Sequence, residues 1–278
     1  MLAIVLALSA SLAWGCADFF GGLKSRVLGA LAVLVVSQLA GTVVIATVVA
    51  ARGQGPASPS VLLAIPAGTA GILGLFAFYR GMAVGAISIV APIAGIAAVI
   101  PVVVGIASGD RLGALQAAGI ALALVGVGLA SRDEGAGGRR ARLASGAGLA
   151  LLAAIGFGSY FPIMHAAART DLFWAVLLFR TTAASLVATA AAVVRPRARF
   201  TPPDLAAAAA VGVLDVTGNF CFAAASDRGL VSIVSVLASL YPVVTVALAR
   251  IVLREQVAPL QQVGAGAALA GVVLLSAG

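Results

Sequence analysis

Charged residues gather in short clusters along the chain, and between them run long, unbroken apolar stretches. A helix needs about 20 mostly apolar residues to cross the hydrocarbon core of a bilayer. Ten stretches meet that length: 2–23, 27–50, 61–83, 84–107, 112–131, 146–168, 172–194, 205–226, 230–253 and 258–277. The runs are continuous rather than alternating, which argues against a β-barrel. Turn and charge signals fill the breaks, as in Arg52-Gly53-Gln54-Gly55-Pro56, Gly109-Asp110-Arg111 and Arg195-Pro196-Arg197. Arg80 to Gly85 supplies the turn between the third and fourth runs.

The longest polar stretch, 132–145, falls near the midpoint with five apolar runs on each side. That position invites a search for duplication. Sliding one half over the other gives matches at an offset of 143–145. Trp14-Gly15 falls on Phe157-Gly158, and Gly74, Phe76 and Phe78 fall on Gly218, Phe220 and Phe222. Gly85 and Ser88 fall on Gly229 and Ser232, while Asp110, Gln116 and Gly119 fall on Glu255, Gln261 and Gly264. An odd number of spans per copy forces the second copy to enter from the opposite side. The expected fold is therefore all-α, with ten transmembrane helices as two inverted five-helix repeats. The expected domains are a first repeat over 1–131, a basic linker over 132–145 and a second repeat over 146–278.

Composition fixes the solvent. Hydrophobic residues make up 62% of the 278 and charged residues 9%, with a mean hydropathy of +1.16. A soluble domain carries about 25% charged residues, so the expected partner is a lipid bilayer. The formal charge is +8, but its Lys and Arg lie in the short breaks, as membrane anchors do. This excludes nucleic acid as a partner. Of the 17 basic residues, twelve fall on one set of alternate loops and four on the other, with Arg180 inside a run. The positive-inside rule makes the twelve-charge side cytoplasmic and puts both termini outside. Cys16 and Cys221 stand alone within apolar runs, so neither a metal site nor a disulfide framework is expected. Leu12 to Cys16 faintly resembles a lipoprotein cleavage site. Trp14 is too bulky for one and no basic segment precedes it, so the first run is expected to be a retained helix.

With the repeat established, the chain resembles the EamA family of the drug/metabolite transporter superfamily. LAWGCADFF in the first run carries part of the likeness, as does a Gly- and aromatic-rich helix followed by a turn and a Ser-containing helix. The stretch from Ser239 to Leu275 is similar to the family's Pro-containing helix, acidic turn residue, Gln and Gly-rich last helix. The first half echoes it with Pro101, Asp110, Gln116 and Gly119, but has Asp where the family usually has Glu. The resemblance implies two EamA domains, no bound cofactor and movement of small organic solutes, often export of amino acids or other metabolites.

Ionisable groups within the bilayer are costly, and each needs a reason to be there. Arg180 lies roughly 12 Å from the outer end of its run, and Asp215 roughly 15 Å from the inner end, at 1.5 Å per residue. Both fall near the midplane, where they are expected to pair or share a polar cavity. Arg180 would meet a substrate carboxylate or phosphate. Asp215 would meet an amine, carry a coupling proton or hold Arg180. A purely structural ion pair is the alternative. Asp18 is expected near the inner end of its helix, either binding a proton or cation or sitting at the interface beside Lys24 and Arg26. His165, the single histidine, is either a proton relay or an interfacial hydrogen-bonding group.

Among polar residues in apolar runs, Asn219 and Gln38 are the strongest candidates to line a solute path, because buried amides need partners. Tyr241 is a candidate to close a cavity; Tyr79 could do so or join an aromatic belt. Pro66, Pro92, Pro101, Pro162 and Pro242 are expected to kink helices.

The function read from these features is a secondary transporter of small organic solutes working by alternating access. Protons are a candidate coupling ion, and monomer and homodimer remain open. No Walker-type motif is present, which argues against a self-contained ATP pump. A lipid flippase or a subunit of a larger membrane complex is a second reading. An intramembrane enzyme is a third, resting on Ser159 and His165. Those two are six residues apart and face different directions on one helix.

Overall fold

The computed structural model describes residues 2–100, 113–130, 138–226, 238, 240–255 and 258–277. Among them are ten α-helices: α1 (Leu2–Leu28), α2 (Ala30–Arg52), α3 (Ala64–Val84), α4 (Ile87–Gly95) and α5 (Ala114–Ala130) precede α6 (Gly138–Ala168), α7 (Leu172–Val194), α8 (Pro202–Ser226), α9 (Tyr241–Leu253) and α10 (Pro259–Ala277). No strand occurs among the described residues. Six stretches among the described residues are long and apolar enough to cross a membrane: Leu2–Leu28, Ala30–Arg52, Pro59–Val84, Gly146–Ala168, Leu172–Val194 and Pro202–Phe222. The expected runs 84–107 and 230–253 lie partly outside the described residues, and Pro101, Asp110, Gly229, Ser232 and Ser239 lie outside them.

The helix ends follow local chemistry. Gly29 and Gly53 take positive φ, 83° and 61°, where α1 turns into α2 and where α2 ends. The N–H of Gly53 donates to Ala50 O, closing the last turn in the manner of a left-handed C-terminal cap. Asp171 caps α7 by accepting from the N–H groups of Phe173 and Trp174. Thr201 and Asp204 exchange side chain-to-backbone bonds at the start of α8, the reciprocal arrangement of a capping box. Within α4, Pro92 is followed by a 3-10 turn over Ile96–Ala98.

Two boundaries correct the sequence reading. The first helix does not stop at 23 but continues to Leu28 through Lys24 and Arg26, since both cations find carboxylate partners at its end. The sixth helix starts at Gly138, so half of the stretch read as a linker is helical. Arg139, Arg140 and Arg142 favour helix as well as they favour a polar loop.

The helices pack in reciprocal pairs. α1 lies against α8 and α9, as α6 lies against α3 and α4; α2 contacts α8 as α3 contacts α7. Three pairs answer themselves: α5 with α10, α2 with α7 and α4 with α9. Small residues bring these helices together, as in membrane bundles generally. A Cβ on Gly15 would sit 2.5 Å from Val244 Cβ of α9, and one on Gly158 would sit 2.6 Å from Ala97 O after α4. The ring of Trp14 lies on Gly218 in the space a Cβ would take, and Phe157 lies on Gly74 in the same way.

Candidate functional site

These packings leave a cavity between α1, α2, α3, α6, α7, α8 and α9. Its volume is about 100 Å³, smaller than the ~300–1,000 Å³ of pockets for drug-sized ligands. The six residues singled out from the sequence all line it: Asp18 from α1, Gln38 from α2, Arg180 from α7, Asp215 and Asn219 from α8, and Tyr241 from α9. The remaining wall is chiefly aromatic and aliphatic, from Trp14, Ile72, Leu75, Phe157, Tyr160, Phe179 and Ala183. Phe157 and Phe179 escaped the sequence reading as lining residues. An aromatic ring in an apolar run signals packing unless a cavity is known to lie beside it.

Arg180 is the centre of this site. It is 1% exposed and the largest fully buried side chain among the described residues. Its Nη1 donates to Asp215 Oδ2 at 2.7 Å and to Gln38 Oε1 at 3.1 Å. Three helices therefore converge on one nitrogen, and the pairing expected between Arg180 and Asp215 is present. Gly41, one turn beyond Gln38, keeps α2 close: a Cβ there would lie 3.1 Å from Gly212 O and 3.6 Å from Arg180 Nη1. The guanidinium also stacks beside Phe179, 5.6 Å from the ring centroid. Its Nε and Nη2 have no hydrogen-bond partner among the described residues.

Asp18 lines the cavity, in Coulombic range of Asp215, rather than sitting at the helix end with Lys24 and Arg26. It has no ion pair or hydrogen bond among the described residues. Tyr79 is likewise interior, 1% exposed with its hydroxyl donating to Ala17 O at 3.4 Å, so it does not belong to an aromatic belt. Tyr241 meets Trp14 edge-on with centroids 6.4 Å apart. The side chain of His165 lies outside the described residues.

The cations at the end of α1 serve another cluster. Lys24 Nζ pairs with Asp204 Oδ1 at 2.7 Å, and Arg26 Nη2 pairs with Glu255 Oε1 at 2.8 Å. Arg26 also donates to the carbonyls of Met82 and Gly85 at the end of α3. Glu255 accepts from the N–H groups of Ile87 and Ser88 and from Ser88 Oγ, which caps α4. No sequence signal paired these residues, which lie 229 positions apart. Among the described residues, no group of His, Cys, Asp and Glu is placed to hold a metal ion.

A bundle of long apolar helices around a polar-centred cavity is the architecture of a multi-pass membrane protein. Residues 144–277 match the model of the EamA-like transporter family, consistent with the drug/metabolite transporter superfamily. The family is one of membrane transporters rather than enzymes. One solved structure, titled only as the crystal structure of a protein, covers 98% of this chain and 95% of its own with a TM-score of 0.68. Its sequence identity is 17%, so the likeness is one of fold. No curated protein matches the sequence.

Proposed function

We propose that this protein is a secondary transporter that moves small organic solutes, amino acids or related metabolites, out of the cell by alternating access, with the central cavity as its binding site. One observation carries the reading: a fully buried Arg180, held by Asp215 and Gln38, lines a cavity in the middle of the bundle. Intramembrane ionisable groups on a cavity mark solute or ion pathways. A merely structural pair would be better replaced by apolar packing, because desolvation offsets much of its attraction.

The reciprocal packing supports an architecture of two inverted repeats. Exchanging α1 to α5 for α6 to α10 maps several of the helix contacts onto one another, with α1 on α8 answering α6 on α3, although α1 on α3 has no such counterpart. Trp14 on Gly218 and Phe157 on Gly74 repeat at the level of single side chains. In this proposal the two halves rock about the cavity, which opens to either side in turn. The end of the bundle bearing Lys24 and Arg26 faces the cytoplasm of the cell membrane.

The test is purified protein in liposomes, challenged with a mixed metabolite pool and read by mass spectrometry. Wild type should move a small set of solutes selectively, and Arg180→Leu should not. Equal movement by both proteins would remove Arg180 from the pathway, and no selective movement by either would sink the transport reading.

A further inference from the structure

We propose that the connection from Arg195 to Arg199, between α7 and α8, binds an anionic phospholipid, with its arginines on the headgroup phosphate and the end of α7 against the acyl chains.

The connection is held at both ends. α7 stops at Val194, where Arg195 takes φ 49° and its N–H donates to Ala191 O at 2.7 Å. Pro196 locks the next φ. Exposure then alternates: Arg197 and Arg199 are exposed, while Ala198 and Phe200 are half-buried. That is the period of an extended chain, and it sets Arg197 and Arg199 on one side, roughly 6–7 Å apart. Phe200 packs against the main apolar core, and the capping box of Thr201 and Asp204 fixes the far end. Three guanidiniums thus stand on one anchored segment.

Nothing in the fold uses their charge. Arg195, Arg197 and Arg199 are all exposed, and none belongs to an ion pair among the described residues. Asp204, the nearest acid along the chain, is held by Lys24 and Thr201. Orientation in the membrane requires only net charge at this end of the bundle; it does not require the charges in a row. A guanidinium meets phosphate oxygens with parallel N–H groups, so a row of them suits a phosphate. The residues just before the row say what carries that phosphate. Val193 and Val194 are 79% and 66% exposed at the end of an apolar helix. In a bilayer such valines face acyl chains, so a molecule with both chains and a phosphate touches both surfaces. A soluble anion would use only one.

The test counts lipids on the purified protein in detergent by native mass spectrometry, with phosphatidylglycerol titrated against phosphatidylcholine of the same chains. Each basic residue near an anionic surface strengthens attachment about fivefold. Wild type should therefore bind phosphatidylglycerol about tenfold or more tightly than phosphatidylcholine. Arg195→Asn, Arg197→Gln and Arg199→Gln together should remove that preference; Asn is chosen because it tolerates positive φ. A control with Arg80→Gln, Arg250→Gln and Arg254→Asn takes as many exposed arginines from the same end and should keep the preference. Equal loss in both variants would reduce the effect to surface charge and overturn the site. So would a wild type that does not distinguish the two lipids. Inorganic phosphate at the same concentration should leave bound phosphatidylglycerol in place, and displacement would make the ligand a soluble anion instead. Where the triple variant does not fold, Arg197→Gln alone should weaken phosphatidylglycerol about fivefold, and no change would overturn the proposal.

Discussion

Two charged clusters in this bundle are each built on an arginine–carboxylate pair and finished in opposite ways. At the end of α1, Glu255 is saturated: it accepts two backbone N–H bonds, the Ser88 hydroxyl and the Arg26 guanidinium, while Arg26 also closes α3. At the centre, Arg180 uses one nitrogen and leaves two buried ones unpaired. Buried polar groups are normally satisfied, since an unpaired donor costs about 1–3 kcal/mol. The saturated cluster is explained by the fold alone. The unsaturated one is not, and in the proposed transporter a solute would supply the missing partner.

The sharpest way to break this contrast is Arg180→Leu. Transport should fall about 100-fold or more, as for truncation of a buried charged partner. Stability should fall too, by roughly 2–3 kcal/mol, below the ~3–5 kcal/mol of a fully buried broken pair, because Asp215 is 25% exposed. Adding Asp215→Asn to Arg180→Leu removes the stranded carboxylate. Melting in detergent should recover in the double variant while transport stays lost. Recovery of both would reduce the cluster to a structural ion pair.

Glu255→Ala should behave the other way round. It strips three hydrogen bonds from the start of α4 and leaves Arg26 without its carboxylate, a loss of about 2 kcal/mol in line with a lost helix cap and its charge-assisted bond. Melting should drop measurably, yet the protein that remains folded should still discriminate among solutes as wild type does. A change in solute selectivity with unchanged melting would place this cluster on the pathway and dissolve the contrast.

The sequence revealed one cluster far better than the other, for a physical reason. Arg180, Asp215, Asp18 and Gln38 stand out because an ionisable or amide group inside an apolar run is expensive, so each announces itself from its neighbours alone. Glu255 and Arg26 sit in polar breaks where charges are common, Ser88 sits near the start of an apolar run, and only folding shows that they meet. Span existence was legible for the same reason as the central site, since the bilayer demands long apolar runs. The true end of α1 was not. Lys24 and Arg26 look like a helix stop until Asp204 and Glu255 are seen to receive them. The apolar wall of the cavity was silent as well: Phe179 reads as packing in any sequence, and Phe157 was marked only by its match to Trp14.

A milder perturbation tests the frame that holds both clusters. Gly15→Ala would place a methyl 2.5 Å from Val244 Cβ and 2.8 Å from Tyr241 O, where α1 crosses α9. Overpacking of this kind costs about 1–2 kcal/mol. Gly158→Ala, which meets Ala97 O at 2.6 Å, should cost a similar amount. Gly266→Ala finds nothing within 4 Å and should be neutral or slightly stabilising in detergent melting. Unequal losses at Gly15 and Gly158 would count against equivalent roles in two repeats.

The smallest effect is expected at Lys24, and its smallness is informative. Its bond to Asp204 is as short as that between Arg180 and Asp215, 2.7 Å in each case. Distance alone would rank the two pairs equally. Their surroundings differ: Lys24 and Asp204 keep 27% and 21% of their side-chain surface, whereas Arg180 keeps 1%. Water and salt screen the first pair, and Thr201 holds Asp204 through both its hydroxyl and its N–H, so the carboxylate is not stranded when the lysine goes. Lys24→Met should therefore leave melting and solute selectivity unchanged, at low and at high ionic strength. A salt-sensitive loss of transport in this variant would show that the end of α1 takes part in the transport cycle and not only in holding the bundle closed.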